Sequence, residues 1–168
     1  MKRTGIALAL SMLLLMLGCA ASDAVFVDPN AVQGGGYGEL YFEANGVRFG
    51  IFDEAEPVLS ALPAPRSTFT GETCAFDSRD EYYRFSGFEL MTNEIDGVAR
   101  ITAITLADDT VKTPQGLYIG MPEPDAKEAF PALSEHDWQL TDGTAQLSVV
   151  IRDGAVASII YTPSNTKD

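Results

Sequence analysis

GLYIGMPEPDAKEAFPAL, Gly116 to Leu133, reads as an extended stretch that turns through glycine and proline into a short helix. Seventy positions earlier the chain has GVRFGIFDEAEPVLSALP, Gly46 to Pro63. In the earlier stretch Asp53 is placed to cap a helix, and Glu54 and Glu56 suit the positive end of its dipole. Pro57 fits only in that first turn, and Pro63 and Pro65 stop the helix. Val58, Leu59 and Leu62 then share one face. In the later stretch Ala126, Ala129, Phe130 and Leu133 supply the apolar stripe, and Pro131 limits the helix to about two turns. Helices this short do not stand alone in water. Both must rest on a sheet.

The rest of the chain supplies the strands. Tyr41–Ala44 and Val47–Phe49 flank Asn45-Gly46, and Tyr82–Phe85 and Phe88–Thr92 flank Ser86-Gly87. Asp96-Gly97 turns into Val98–Leu106. Trp138–Leu140 leads through Asp142-Gly143 to Ala145–Ile151, and Asp153-Gly154 turns into Ala155–Tyr161. Asp-Gly and Asn-Gly between β-branched runs are strong hairpin signals. Gly46 and Gly50 match Gly116 and Gly120, Gly87 matches Gly143, and Gly97 matches Gly154, in one conserved order. The extra length of the first half falls between Pro63 and Glu81, around Cys74. This order predicts an α+β fold: two tandem helix-plus-antiparallel-sheet units forming one domain, with the helices packed on one sheet face. The duplicated domain is expected over 39–168, with repeats at about 39–110 and 111–163.

The N-terminus carries a different message. Lys2 and Arg3 precede an apolar run, Ile6–Leu17, that fits a signal peptide and is too short for an ordinary transmembrane helix. The run ends in Met16-Leu17-Gly18-Cys19, which resembles the bacterial lipobox. That resemblance implies cleavage after Gly18 and lipidation of Cys19, with residues 1–18 as signal peptide and 19–38 as a flexible tether. Two or more acyl chains give stable anchoring. The alternative is a plain secretory signal cut near Ala20-Ala21-Ser22. In the tether, Gly34-Gly35-Gly36 favours flexibility, and no Walker or GxGxxG spacing follows.

Removing residues 1–18 takes away two of the eleven basic residues and none of the 24 acidic ones, leaving a net charge of −15. Such a domain repels nucleic acid and anionic head groups. With Cys19 lipidated, Cys74 has no disulfide partner within the chain and reads as a small buried apolar residue.

Little in the sequence points to chemistry. His136 is the single histidine, in the polar stretch Ser134–Trp138, and reads as a surface residue. No GxSxG elbow is present, and one histidine with one free cysteine is too few for zinc. Asp77–Glu81 and Asp108-Asp109 are dense in acid but lack EF-hand spacing, and read as solvated loops. No cofactor is expected. Aromatics on or beside strands are the better signal. Tyr82, Tyr83, Phe88 and Trp138 are candidate binding residues, although alternation sends about half of such positions into the core.

Cys74–Phe76 followed by Tyr82–Thr92, then Asp108–Gly120 and Ile151–Tyr161, resembles a group of small bacterial lipoproteins. More distantly the pattern is similar to β-lactamase-inhibitor-protein-like modules and to the small lipoprotein of the outer-membrane β-barrel assembly machinery. That resemblance implies protein binding without catalysis. The expectation is a lipid-anchored cell-envelope module on the extracytoplasmic face, partnered by the membrane through its lipid and by another envelope protein, with no nucleic acid. The alternatives are an inhibitor of a secreted enzyme, or an envelope hydrolase using Cys74 or His136 beside converging acids.

Overall fold

The computed structural model describes residues 40–72 and 79–164. The expected signal peptide, Gly18, Cys19, the tether and Cys74 lie outside the described residues.

Turn chemistry sets the framework. Asn45-Gly46, Asp96-Gly97 and Asp153-Gly154 each hold two consecutive left-handed residues, with φ near 53° and then 76–77°. That is the geometry of a tight hairpin whose twist matches its strands. The first turn joins β1 (Phe42–Ala44) to β2 (Val47–Phe49), a separate two-stranded hairpin. The second joins β5 (Phe88–Ile95) to β6 (Val98–Leu106), and the third joins β8 (Ala145–Arg152) to β9 (Ala155–Pro163). With β3 (Ser67–Glu72), β4 (Arg79–Arg84) and β7 (Gln139–Thr141) these strands form one antiparallel sheet of seven, in the order β3-β4-β5-β6-β9-β8-β7. The two halves of the chain meet at β6 and β9, where Ile104 lies opposite Tyr161 and Thr105 opposite Ile160.

The described residues also form three short helices: α1 (Ala55–Ala61), α2 (Glu123–Ala129) and α3 (Pro131–Glu135). Pro57 does lie in the first turn of α1, and Pro131 does end α2, restarting the chain as α3. Asp53 is not the cap of α1. Glu54 takes that position without a side-chain bond, and the Asp53 carboxylate turns back to accept the Gly50 N–H at 2.7 Å.

Core residues lie on alternate positions of the strands: Phe88 and Leu90 on β5, Ile104 and Leu106 on β6, Leu147 and Val149 on β8, Ile159 and Tyr161 on β9. They pack against the β1–β2 hairpin and the helices, through Phe42, Phe49, Val58, Ala126 and Leu133. Phe42 is central, fully buried, with its ring 5.3 Å from Phe88, 5.7 Å from Phe49 and 6.2 Å from Tyr161. Truncation of such a side chain costs about 3–5 kcal/mol. The alternate residues on the opposite face, among them Met91, Ala103, Ile160 and Val150, are half-buried or exposed.

This architecture corrects the expected fold class. Among the described residues the chain is mostly β, with 47% in strands and 16% helical, and it does not divide into two helix-plus-sheet units. The matched glycines explain the error, because they do different jobs. Gly46 closes the β1–β2 hairpin, whereas Gly116 closes a turn by donating its N–H to the Thr113 carbonyl. Gly120 is left-handed and donates to the Val156 carbonyl at 2.7 Å. The residue that does this before α1 is not Gly50 but Phe52, left-handed at φ 70° and donating to Ile101 at 2.8 Å. The segment expected to be only an elongated loop contributes β3, a strand on the margin of the sheet.

Candidate binding surfaces

The structure scatters the four expected binding residues. Phe88 is a core residue, 2% exposed, and its ring stacks on Phe85 with centroids 4.8 Å apart. Tyr83 is half-buried against the core, and its hydroxyl donates to Glu81. Burial, then the Glu81 carboxylate, pushes the Tyr83 phenol up to about 12. Trp138 packs against the core beside β7, in a left-handed conformation at φ 62°. Only Tyr82 sits on the opposite face, next to the sheet margin.

Tyr82 has a partner that the sequence reading missed. Phe69 on β3 lies directly across from it, and the two rings stack almost parallel, with centroids 4.5 Å apart. The Tyr82 ring also covers Gly71, where an added Cβ would lie 3.2 Å from Cε2. The Arg84 guanidinium stands 5.0 Å from the Phe69 ring centre and bonds Glu89 at 2.6 Å. Phe69 remains 41% exposed. The signal for this pair is the β-branched and aromatic run Ser67-Thr68-Phe69-Thr70, overlooked because Pro63 and Pro65 precede it.

Asp80 overturns a second expectation. The acid-rich stretch read as a solvated loop enters β4, and Asp80 is only 8% exposed. Its Oδ2 accepts the Tyr82 hydroxyl at 3.4 Å, and its Oδ1 has no hydrogen-bond partner among the described residues. Burial, then the Asp80 charge, raises the Tyr82 phenol above its ordinary value.

A second surface is a groove of about 500 Å³ on the other side of the β4 terminus. It is assembled from the β1–β2 turn, the α1–β3 connection, the β4–β5 turn and residues 110–112. Ala44, Phe85 and Phe88 are its buried apolar wall, with Pro63, Ala64 and Val111 alongside. Arg66, Ser86 and Lys112 bring polar groups to it. Arg66 Nη2 donates to Ser86 Oγ at 2.9 Å, and Lys112 Nζ lies 4.8 Å from the Tyr118 ring centre.

Gly87 fixes the groove's outer wall. At φ 89° it favours glycine, and a Cβ there would lie 2.5 Å from Thr110 Oγ1 and 2.8 Å from Val111 Cγ1. Its carbonyl accepts the Ala107 N–H at 2.8 Å, so the following loop lies on the β4–β5 turn. Asp108 accepts the Thr110 N–H and hydroxyl, and these bonds hold its carboxyl below the usual range. The Asp108-Asp109 pair is thus an exposed turn, with Asp108 engaged by its own loop.

His136 is exposed at the end of α3. Among the described residues no group of three or more His, Cys, Asp or Glu is placed to hold a metal ion, and no helix is long and apolar enough to cross a membrane. Comparison of the chain with protein-family models, curated proteins and solved structures finds no match.

Proposed function

We propose that this chain is a cell-envelope lipoprotein that binds another envelope protein and catalyses no reaction. A lipid on Cys19 holds it to the membrane, and its acidic domain stands on the extracytoplasmic side. The binding element is the outer margin of β3, to which an extended segment of the partner adds as a further strand.

One observation carries this reading. Sheet margins expose unpaired N–H and C=O groups, and proteins blunt them with charge, proline, bulges or very short strands. The margin at β7 is blunted by length, being three residues long. The margin at β3 has six residues; the first five, Ser67-Thr68-Phe69-Thr70-Gly71, contain neither charge nor proline, and the one charged residue, Glu72, stands at the strand's end. Among the described residues no strand pairs with its outer side. Beside this margin the Phe69–Tyr82 stack offers an aromatic anchor of the kind that dominates interface energetics.

The test places a photo-crosslinking amino acid at position 69 in the native envelope, with position 127 on α2 as the control. Position 69 is expected to give one major adduct that maps to a short segment of an envelope protein, and position 127 none. A synthetic peptide of that segment is then expected to slow amide exchange along β3. An adduct pattern shared by both positions, or a peptide that leaves β3 exchange unchanged, sinks the strand-addition reading. Separately, Cys19→Ala is expected to release the protein from the membrane fraction. Retention there refutes the anchor.

A further inference from the structure

A different observation concerns the groove, and it stands independently of the β3 reading. Eight basic residues fall among the described residues. Four of them face a carboxylate within 4.0 Å: Arg48 with Glu43, Arg84 with Glu89, Arg100 with Glu54 and Lys127 with Glu123. Of the remaining four, Arg66 and Lys112 both line this one groove. Acids outnumber bases more than two to one in this chain, so two cations with no carboxylate within 4.0 Å among the described residues run against the prevailing charge.

Glu43 in the groove's lining and Asp108, two residues before the lining Thr110, both engage other groups. Glu43 lies 3.7 Å from Arg48 and Asp108 accepts from Thr110. The two cations are steadied by neutral neighbours, Arg66 by the Ser86 hydroxyl and Lys112 by the Tyr118 ring. Neither of these neighbours carries a negative charge; the carboxylate on which the Arg66 charge acts is Asp108, which it helps the Thr110 hydrogen bonds to hold low. Guanidinium also has more donors than one hydroxyl can use. Next to these charges lies an apolar wall of Ala44, Phe85 and Phe88, in a space of about 500 Å³. That volume falls in the range of small-molecule sites, which pair an apolar lining with a few placed polar groups.

We propose that this groove binds a small amphiphilic anion: a carboxylate or phosphate monoester head held by Arg66 and Lys112, with an apolar body laid on the Phe85–Phe88 wall. A carboxylate and a phosphate share the acceptor chemistry that a guanidinium and an ammonium recognise. A bare inorganic anion leaves the wall unused, and a neutral apolar molecule leaves the two charges unused.

The test uses the full lipidated chain in nanodiscs of neutral phospholipid, with empty nanodiscs as blank. The probes are 4-phenylbutyrate, 4-phenylbutyl phosphate, 4-phenylbutanol and inorganic phosphate, titrated by calorimetry. The phosphate monoester or the carboxylate is expected to bind at least tenfold more tightly than the alcohol and than inorganic phosphate, a factor equivalent to about 1.4 kcal/mol. Which of the two anions binds more tightly identifies the head group. In Arg66→Gln/Lys112→Gln the acid's affinity is expected to fall at least tenfold, with thermal stability unchanged because both side chains are exposed. Equal binding of acid and alcohol, unaltered binding by the double variant, or no heat from either anion at millimolar concentration overturns the proposal. A Phe69 adduct that persists in the double variant shows that the two surfaces are separate.

Discussion

Replacing Asp53 by asparagine should stabilise the protein near neutral pH and do nothing in acid. Asp53 lies between the left-handed Phe52 and α1, 6% exposed. Burial pushes its carboxyl up to about 6, against the opposing pull of the Gly50 N–H and the Arg100 guanidinium. A raised acid pKa means that the folded state resists the charged form. Between the ordinary value of 3.8 and about 6 the folded state holds more protons than the unfolded state. Stability therefore falls as pH rises through that window, and the full penalty is present above it. A shift of about two units corresponds to roughly 3 kcal/mol at the upper limit. Arg100 beside it is partly exposed, so solvent screening reaches the site and about half of that is the working figure.

Asparagine keeps an oxygen for the Gly50 N–H, which Asp53 now bonds at 2.7 Å, and carries no charge to desolvate. Asp53→Asn is thus expected to match the wild type near pH 4 and to exceed it by about 1–1.5 kcal/mol at pH 7, a melting shift of roughly 4 °C. Asp53→Ala removes the acceptor as well, and should lie about 1 kcal/mol below Asp53→Asn at every pH. Urea unfolding of the three proteins from pH 3.5 to 7.5 measures this. Only differences between variants at one pH count, because general repulsion in so acidic a chain also changes with pH. A wild-type-minus-variant difference that is flat with pH, or that grows in favour of the wild type as pH rises, refutes the reasoning.

Two further outcomes follow from backbone geometry. Gly87→Ala combines a left-handed conformation with contacts of 2.5 and 2.8 Å to the Thr110 and Val111 side chains, and should cost about 2–4 kcal/mol in thermal or urea unfolding. Gly143→Ala, also left-handed but with open space around it, should cost about 1 kcal/mol, so equal losses at the two positions contradict the packing seen at Gly87. Phe52→Gly relieves the left-handed strain at φ 70° on a side chain 38% exposed, while making the unfolded chain more flexible. The two effects leave stability unchanged or raised by up to about 1 kcal/mol. A loss larger than that means the Phe52 ring packs more productively than its exposure indicates.

The division between what the sequence reveals and what it hides follows the range of the forces involved. Hairpins are local, so Asn45-Gly46, Asp96-Gly97 and Asp153-Gly154 declare themselves, and their flanking strands appear where the alternation places them. Helix starts are less local. The Asp53 carboxylate chooses the Gly50 N–H over the helix end because Phe52 has already turned the chain to reach Ile101 on β6. Glycine matching fails for the same reason: a left-handed position is set by the strand it must reach, and Phe52 occupies one at a cost that no sequence pattern shows. Of the aromatics, Tyr82 and Phe88 look alike in sequence, yet one faces the core and the other does not, and only the register opposite Met91 and Leu106 decides which. The groove is hidden more deeply still, since Ala44, Arg66, Phe85 and Lys112 come from four separate segments.

The β3 margin lies between these extremes, and its logic is one of omission. Its composition was always visible; that Ser67–Gly71 forms the end of a sheet was not. An uncharged run is unremarkable in the middle of a sheet, where neighbours satisfy both sides. At an end it is a liability unless something pairs with it. For the strand addition proposed above, the uncharged run Ser67–Gly71 suits an incoming backbone, because an acid within it would repel the partner's backbone carbonyls and strengthen solvation of the free margin.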